Sequence, residues 1–236
     1  MKALLLFLAA ALVGQLPSKP GVYRMADTIP DIGEVRYALA LPEGYTPRQP
    51  RPLVVALHPG GQRFPYYGGA FMEQVVGPGL ADLDAIILAP DCPTGSWTDA
   101  NAERAVMTLV REVMNKYSVD SRRVVVAGFS MGGRGTWYMA SRHTDLFSAA
   151  IVMAGAPGNL QIDRLATRPT YVIHSRDDEV VEFEPTEKTV KELQRLGRTI
   201  EFEPLEGVGH FNMSMYVDPL SRAGEWVSEQ WKNLPR

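Results

Sequence analysis

The sequence predicts a three-layer α/β/α sandwich around a mostly parallel, doubly wound sheet, and three observations carry that prediction. Short continuous apolar runs recur along the chain: Leu53–Leu57, Ala85–Ala89, Val124–Ala127, Ala149–Met153 and Thr170–Ile173. Such runs suit strands covered on both faces, where neither face meets water. Amphipathic segments alternate with them; in Asn101–Tyr117 the residues Val106, Val110, Val113 and Tyr117 recur at steps of three and four, widened by Met107 and Met114, which is a helical stripe. No repeat, linker or low-complexity tract divides the chain, so the alternation builds one sheet with helices on both faces.

The remaining elements follow in order. Val35–Leu41 alternates as a strand, Pro42–Tyr45 ends it, and Pro47, Pro50 and Pro52 mark a loop. Leu53–Leu57 runs into His58-Pro59-Gly60-Gly61, and Ala85–Ala89 into Pro90-Asp91-Cys92. Pro185–Leu196 reads as a helix with proline in its first turn. Thr199–Pro204 alternates as a last strand, Gly207-Val208-Gly209-His210 follows, and Asp218–Trp231 closes the chain as a helix with Val227 and Trp231 on one face.

Composition sets bounds on function. The 236 residues are 45% hydrophobic and 22% charged, which allows one domain with a sizeable core. A formal charge of −3 gives no basis for a nucleic-acid groove or an anionic-membrane patch. A single cysteine, Cys92, excludes an intrachain disulfide and a multi-cysteine zinc site. Residues 1–14 stand apart: Lys2 precedes the apolar run Ala3–Val13, with small residues around Ala9–Ala11 and Gly14. That run is too short to span a bilayer and reads as a secretory signal, leaving 15–236 as a single domain of an exported protein with no stable membrane anchor. Oligomeric state is not legible in the sequence.

The chemistry concentrates at Val124-Val125-Val126-Ala127-Gly128-Phe129-Ser130-Met131-Gly132-Gly133. A β-branched run ends at Gly128, and a helix is expected over Thr136–His143. Strand, tight turn and helix with a serine at the apex form a nucleophile elbow. A turn that sharp strains the serine backbone, and side chains two positions either side would collide, hence Gly128 and Gly132. The hydroxyl then stands clear of the sheet, with unpaired helix N–H groups behind it for a developing oxyanion.

A serine needs a base, and the base needs an orienting carboxylate. For an elbow serine the chain order is Ser, acid, His. Of four histidines, His58, His143 and His174 precede the acidic run Asp177-Asp178-Glu179; His210 alone follows it. His210 is therefore the expected base. Spacing leaves the acid open among the three carboxylates. The oxyanion hole is expected to use the N–H of Met131 and one from the loop after Leu57. Pro59 has no N–H, so Gly60 is first choice and Gly61 second.

These residues resemble the α/β-hydrolase superfamily of serine hydrolases, within it the compact carboxylesterase group of feruloyl esterases, polyhydroxybutyrate-depolymerase-like esterases and predicted peptidases. The resemblance runs from about Val35 to His210 and rests on the extended elbow Gly128–Trp137 and the loop Gly207–His210. Leu57-His58-Pro59-Gly60-Gly61 is similar to the group's Leu-His-Gly-Gly-Gly, with Pro59 replacing a glycine. His174–Val181 is similar to its His-Gly-x-x-Asp-x-x-Val element, with Ser175 in place of Gly. The resemblance implies an α/β-hydrolase fold and an acid at Asp178. It also implies that the Pro90–Trp97 segment lines the substrate cleft, with Trp97 either a wall of that cleft or a core residue; Gly61 is expected to border the same cleft.

The expected activity is hydrolysis of a carboxylic ester through an acyl-Ser130 intermediate, with no metal or organic cofactor implied. No long insertion resembling a lid lies between Leu57 and Ser130 or between Ser130 and Asp178, so an open cleft for soluble or polymer-end esters is expected. Amide hydrolysis or acyl transfer would use the same triad. A noncatalytic binding module on this fold is the alternative from another class.

Overall fold

The computed structural model describes residues 16–61 and 64–233. The expected signal segment 1–14 lies outside them. The described chain forms one eight-stranded sheet of order β1-β2-β4-β3-β5-β6-β7-β8. Its strands are β1 (Gly21–Ile29), β2 (Gly33–Leu41), β3 (Arg51–Leu57), β4 (Ile86–Pro90), β5 (Val119–Phe129), β6 (Ala149–Met153), β7 (Thr170–Ser175) and β8 (Ile200–Leu205). From β4 to β8 every neighbouring pair is parallel. The hairpin β1–β2 joins the edge antiparallel.

Among the described residues six α-helices accompany the sheet: α1 (Tyr67–Phe71), α2 (Gly77–Gly79), α3 (Ala100–Lys116), α4 (Met131–Arg142), α5 (Phe183–Arg195) and α6 (Val217–Lys232). Strand pleating sends alternate residues to opposite faces. From β3 and β5, Val54, Ala56, Val125 and Ala127 meet Val76, Leu80, Leu220 and Val227 on one face. Leu53, Val55, Leu57, Val124 and Val126 meet Val106, Leu109 and Val110 of α3 and Met139 of α4 on the other. Further along that sheet Val152 and Val172 pack with Trp137, Val190 and Leu193. The three layers and the mostly parallel sheet agree with the sequence reading, and no large lid covers the described chain. Among the described residues no helix is long and apolar enough to cross a membrane.

Three differences from the expected elements have physical causes. β1 was not expected because it is an edge strand with one face in water; the turn at Pro30-Asp31, where Asp31 has φ 62°, is the signal that announces it. The helical stretch from Tyr67 to Leu83 was also not expected, since Gly68, Gly69, Gly77 and Gly79 are poor helix formers. Packing overrides propensity there: a Cβ on Gly68 would overlap the carbonyls of Ala89 and Pro90. The Asp91 carboxylate also accepts the N–H groups of Tyr66 and Gly68 at 2.7 and 2.8 Å. Finally, α4 starts at Met131, five residues before the expected Thr136.

Candidate active site

Four loops at the carboxyl ends of parallel strands build the site, where an open α/β sheet gathers its functional groups. β3 leads into His58–Gly61, β5 into Ser130, β7 into Asp177–Val181 and β8 into Gly207–His210. Leu57 pairs with Gly128 in register, so the glycine loop lies beside the elbow.

Ser130 sits at φ 56° and ψ −114°, a strained conformation held by its surroundings. Its N–H is fixed to the Met153 carbonyl at 2.9 Å. Gly128 and Gly132 are required by close approach: a Cβ at 128 would overlap the Gly132 carbonyl, and one at 132 the Leu57 carbonyl. Met131 begins α4, so its N–H has no carbonyl partner within the helix. A Cβ on Gly60 would stand 3.7 Å from that of Met131, which puts the two chain segments expected to supply an oxyanion hole side by side. The Tyr67 hydroxyl donates to the Gly60 carbonyl at 3.3 Å and steadies that loop.

Ser130 Oγ lies 2.9 Å from His210 Nε2, and His210 Nδ1 lies 2.8 Å from Asp178 Oδ2. The chain order left three acids open, and the structure gives each a different task. Asp178 meets the imidazole. Asp177 Oδ2 accepts the N–H of Gly207 at 2.6 Å, and Glu179 Oε2 accepts the N–H of His210 at 2.9 Å. The Asp178 side chain is fully buried. Burial alone would push its carboxyl up; His210 and the N–H groups of Val181 and Val180 outweigh that and hold it below the ordinary carboxylate range. Those two N–H groups reach Oδ1 at 2.7 and 2.9 Å.

Ser130 and His210 open on a pocket of about 340 Å³ walled by Gly60, Gly61, Tyr67, Val180, Phe211 and Met213. Of these, Gly60 and Gly61 were expected from the sequence. The others were not, because loop packing rather than spacing selects them. A more polar cleft of about 500 Å³ lies across Tyr67, bordered by Glu34, Arg36, Phe64 and Asp91.

Trp97 corrects an expectation. It is fully buried, its indole N–H donates to the His58 carbonyl at 2.9 Å, and it packs against the His58 ring at 5.0 Å. It supports the glycine loop from behind and has no surface for substrate. His58, also buried, has both nitrogens committed. Nδ1 faces the Pro59 carbonyl at 2.6 Å and therefore carries the proton; Nε2 accepts the Cys92 N–H at 3.0 Å. Among the described residues no group of three His, Cys, Asp or Glu side chains is placed to hold a metal ion.

Comparison with known proteins places this geometry in context. Feruloyl esterase C of Emericella nidulans is 28% identical over 123 residues, 50% of this chain and 46% of that one. Feruloyl esterase B of Thermothelomyces thermophilus is 31% identical over 118 residues, 44% of this chain and 39% of that one. The chain thus spans about half the length, or less, of these curated relatives. Among solved structures, a thermostable esterase superposes with a TM-score of 0.77 at 28% identity, covering 88% of this chain and 62% of that one. A ferulic acid esterase from Anaeromyces mucronatus in complex with ferulic acid gives 0.66 at 17% identity, covering 86% and 89%, a likeness of fold. These neighbours agree with the α/β-hydrolase fold and with the resemblance to feruloyl esterases. The dienelactone hydrolase family profile matches residues 93–221, more than half of the sequence and all three members of the Ser130–His210–Asp178 chain, and the protein belongs to that family.

Proposed function

We propose that the protein is a serine carboxylesterase. Ser130 Oγ attacks the ester carbonyl while His210 Nε2 takes its proton, and the N–H groups of Met131 and Gly60 receive the developing oxyanion. The proton passes to the departing alcohol as the carbon–oxygen bond breaks. Water, deprotonated by the same imidazole, then releases the acid and restores Ser130. Asp178 keeps the imidazole in the tautomer whose Nε2 can accept, and stabilises its cation. The observation that carries the reading is the unbroken path from Ser130 through His210 to Asp178, at 2.9 and 2.8 Å.

The apolar wall of Val180, Phe211 and Met213 favours an ester with one apolar component beside the scissile bond. The polar cleft beyond Tyr67 suits a hydrophilic component. The names of the relatives make feruloyl esters the first substrates to try. The apolar run Ala3–Val13 behind Lys2 supports export of the protein, which N-terminal sequencing of the mature form would check. A fluorophosphonate probe and a panel of p-nitrophenyl, feruloyl and peptide substrates test the activity. Labelling on Ser130 with ester turnover is expected; a folded protein that neither labels nor turns over any ester would overturn the reading.

A further inference from the structure

His174 has no part in the proton path, yet it is a fully buried histidine on the far side of the acid. It occupies the penultimate position of β7. Its Nε2 lies 2.9 Å from the Val181 carbonyl and 3.5 Å from Asp178 Oδ2. A carbonyl can only accept, so Nε2 carries the proton. Nδ1 is buried with no hydrogen-bond partner among the described residues. Protonating it would bury an N–H with nothing to accept it. The Phe183 ring stands edge-on to the imidazole at 5.7 Å. Burial pulls the imidazole below the ordinary histidine range, against the opposing pull of the Val181 carbonyl and Asp178. The ring is therefore a neutral imidazole of one fixed tautomer.

Its one N–H lies between the two ends of a single turn. Val181 donates its own N–H to Asp178 Oδ1 at 2.7 Å and gives its carbonyl to His174. Asp178 Oδ2 faces His174 on one side and His210 on the other. We propose that His174 is a positioning residue: its Nε2–H clamps the turn from Asp178 to Val181 and thereby aims Oδ2 at His210 Nδ1. This rests on the esterase reading above and extends it to a side chain that touches no substrate. It assigns His174 a dipole to supply, not a proton to exchange.

Three variants, His174→Leu, His174→Gln and His174→Asn, test the assignment in the full chain. Leucine fills the space without a donor. The glutamine amide places an N–H where Nε2 stands, and the shorter asparagine amide does not. Thermal melts establish that each variant is folded. The readouts are the rate of fluorophosphonate labelling at Ser130, and kcat and KM on one p-nitrophenyl ester. His174→Leu and His174→Asn are expected to lower kcat and labelling about 10-fold to 100-fold, as misplaced catalytic groups do, with KM within about twofold. His174→Gln is expected to return to within about threefold of wild type.

Wild-type rates in folded His174→Leu would overturn the proposal, as would glutamine failing to rescue, because a proton-carrying role would then fit better. Should the leucine variant not fold, the glutamine–asparagine contrast decides, equal rates for the two refuting the clamp. A wild-type protein without labelling removes the esterase reading and this proposal with it. A labelled wild type with indifferent variants removes this proposal alone.

Discussion

Glu179 Oε2 accepts the backbone N–H of His210 at 2.9 Å, so the carboxylate next to the one on the imidazole fixes the main chain that bears it. Asp177 does the same for Gly207 at 2.6 Å. The acidic run after β7 is thus a three-point fastening for the loop after β8, and only its middle member meets the ring. Substituting Glu179 tests this. Glu179→Ala is expected to lower kcat about tenfold by freeing the loop, whereas Glu179→Gln keeps an acceptor oxygen and should stay within about threefold. Steady-state kinetics on a single ester check both, and equal losses in the two variants would contradict the fastening.

Ser130 joins catalytic promise to backbone strain, and the two can be separated. Ser130→Ala should cost on the order of 10⁴–10⁶ in kcat if the three side chains act as a unit. Alanine inherits the strained φ of 56°, so its stability should hardly change. Ser130→Gly should be equally inactive but more stable by about 1 kcal/mol, since glycine adopts positive φ without the Cβ penalty. Urea unfolding midpoints of the three proteins give the comparison. A glycine variant less stable than the alanine one would show that the elbow carries no such strain.

The parts of the site that were legible in the sequence are those where one physical demand fixes residue type. Gly128 and Gly132 flank Ser130 because a side chain at either position would strike backbone, and that demand writes itself as a motif. The place of His210 beside Ser130 was legible from chain order alone. The choice of Asp178 over Asp177 and Glu179 needed the family resemblance, because three adjacent carboxylates have the same chemistry and differ only in which way a turn points them. Trp97 misled for a related reason: an aromatic residue near a cleft looks the same in sequence whether it faces the substrate or, as here, the underside of the loop. The helical stretch through Gly68 and Gly79 was hidden because its stability comes from what it packs on. Val180, Phe211 and Met213 meet only after two loops have folded, and no spacing announces them.

Phe211 is 77% exposed beside the His210 ring at 5.6 Å, and it borders the serine pocket. A large aromatic left in water at a pocket mouth is available to an apolar substrate component. Phe211→Ser is expected to leave the melting temperature within about 1 °C, since little is buried. It should raise KM about fivefold to tenfold for a feruloyl or longer-chain ester, as the loss of roughly 1 kcal/mol of apolar contact implies. It should barely affect an acetyl ester. Equal effects on both esters would mean that Phe211 does not contact the substrate.

Glu103 gives the fold its own pH dependence, away from the chemistry. From α3 it accepts Arg142 Nε and His143 Nε2 at 2.8 Å on Oε1 and the Tyr138 hydroxyl at 2.8 Å on Oε2, tying α3 to the end of α4. Burial favours the neutral acid, but Arg142, Tyr138 and His143 together hold the carboxyl below its ordinary value. A group whose folded pKa is depressed contributes stability above its unfolded pKa, about 4.3 for Glu. That contribution is lost as pH falls through the folded value. Glu103→Gln should therefore be less stable than wild type at pH 7 by on the order of 1–3 kcal/mol. The gap should hold down to about pH 5 and narrow below about pH 4 as the wild-type carboxyl takes up its proton. Urea unfolding of both proteins across that range measures it, with ester turnover at pH 7 equal in the two. A gap constant from pH 7 to the acid limit would mean that the negative charge of Glu103 does not hold the two helices together.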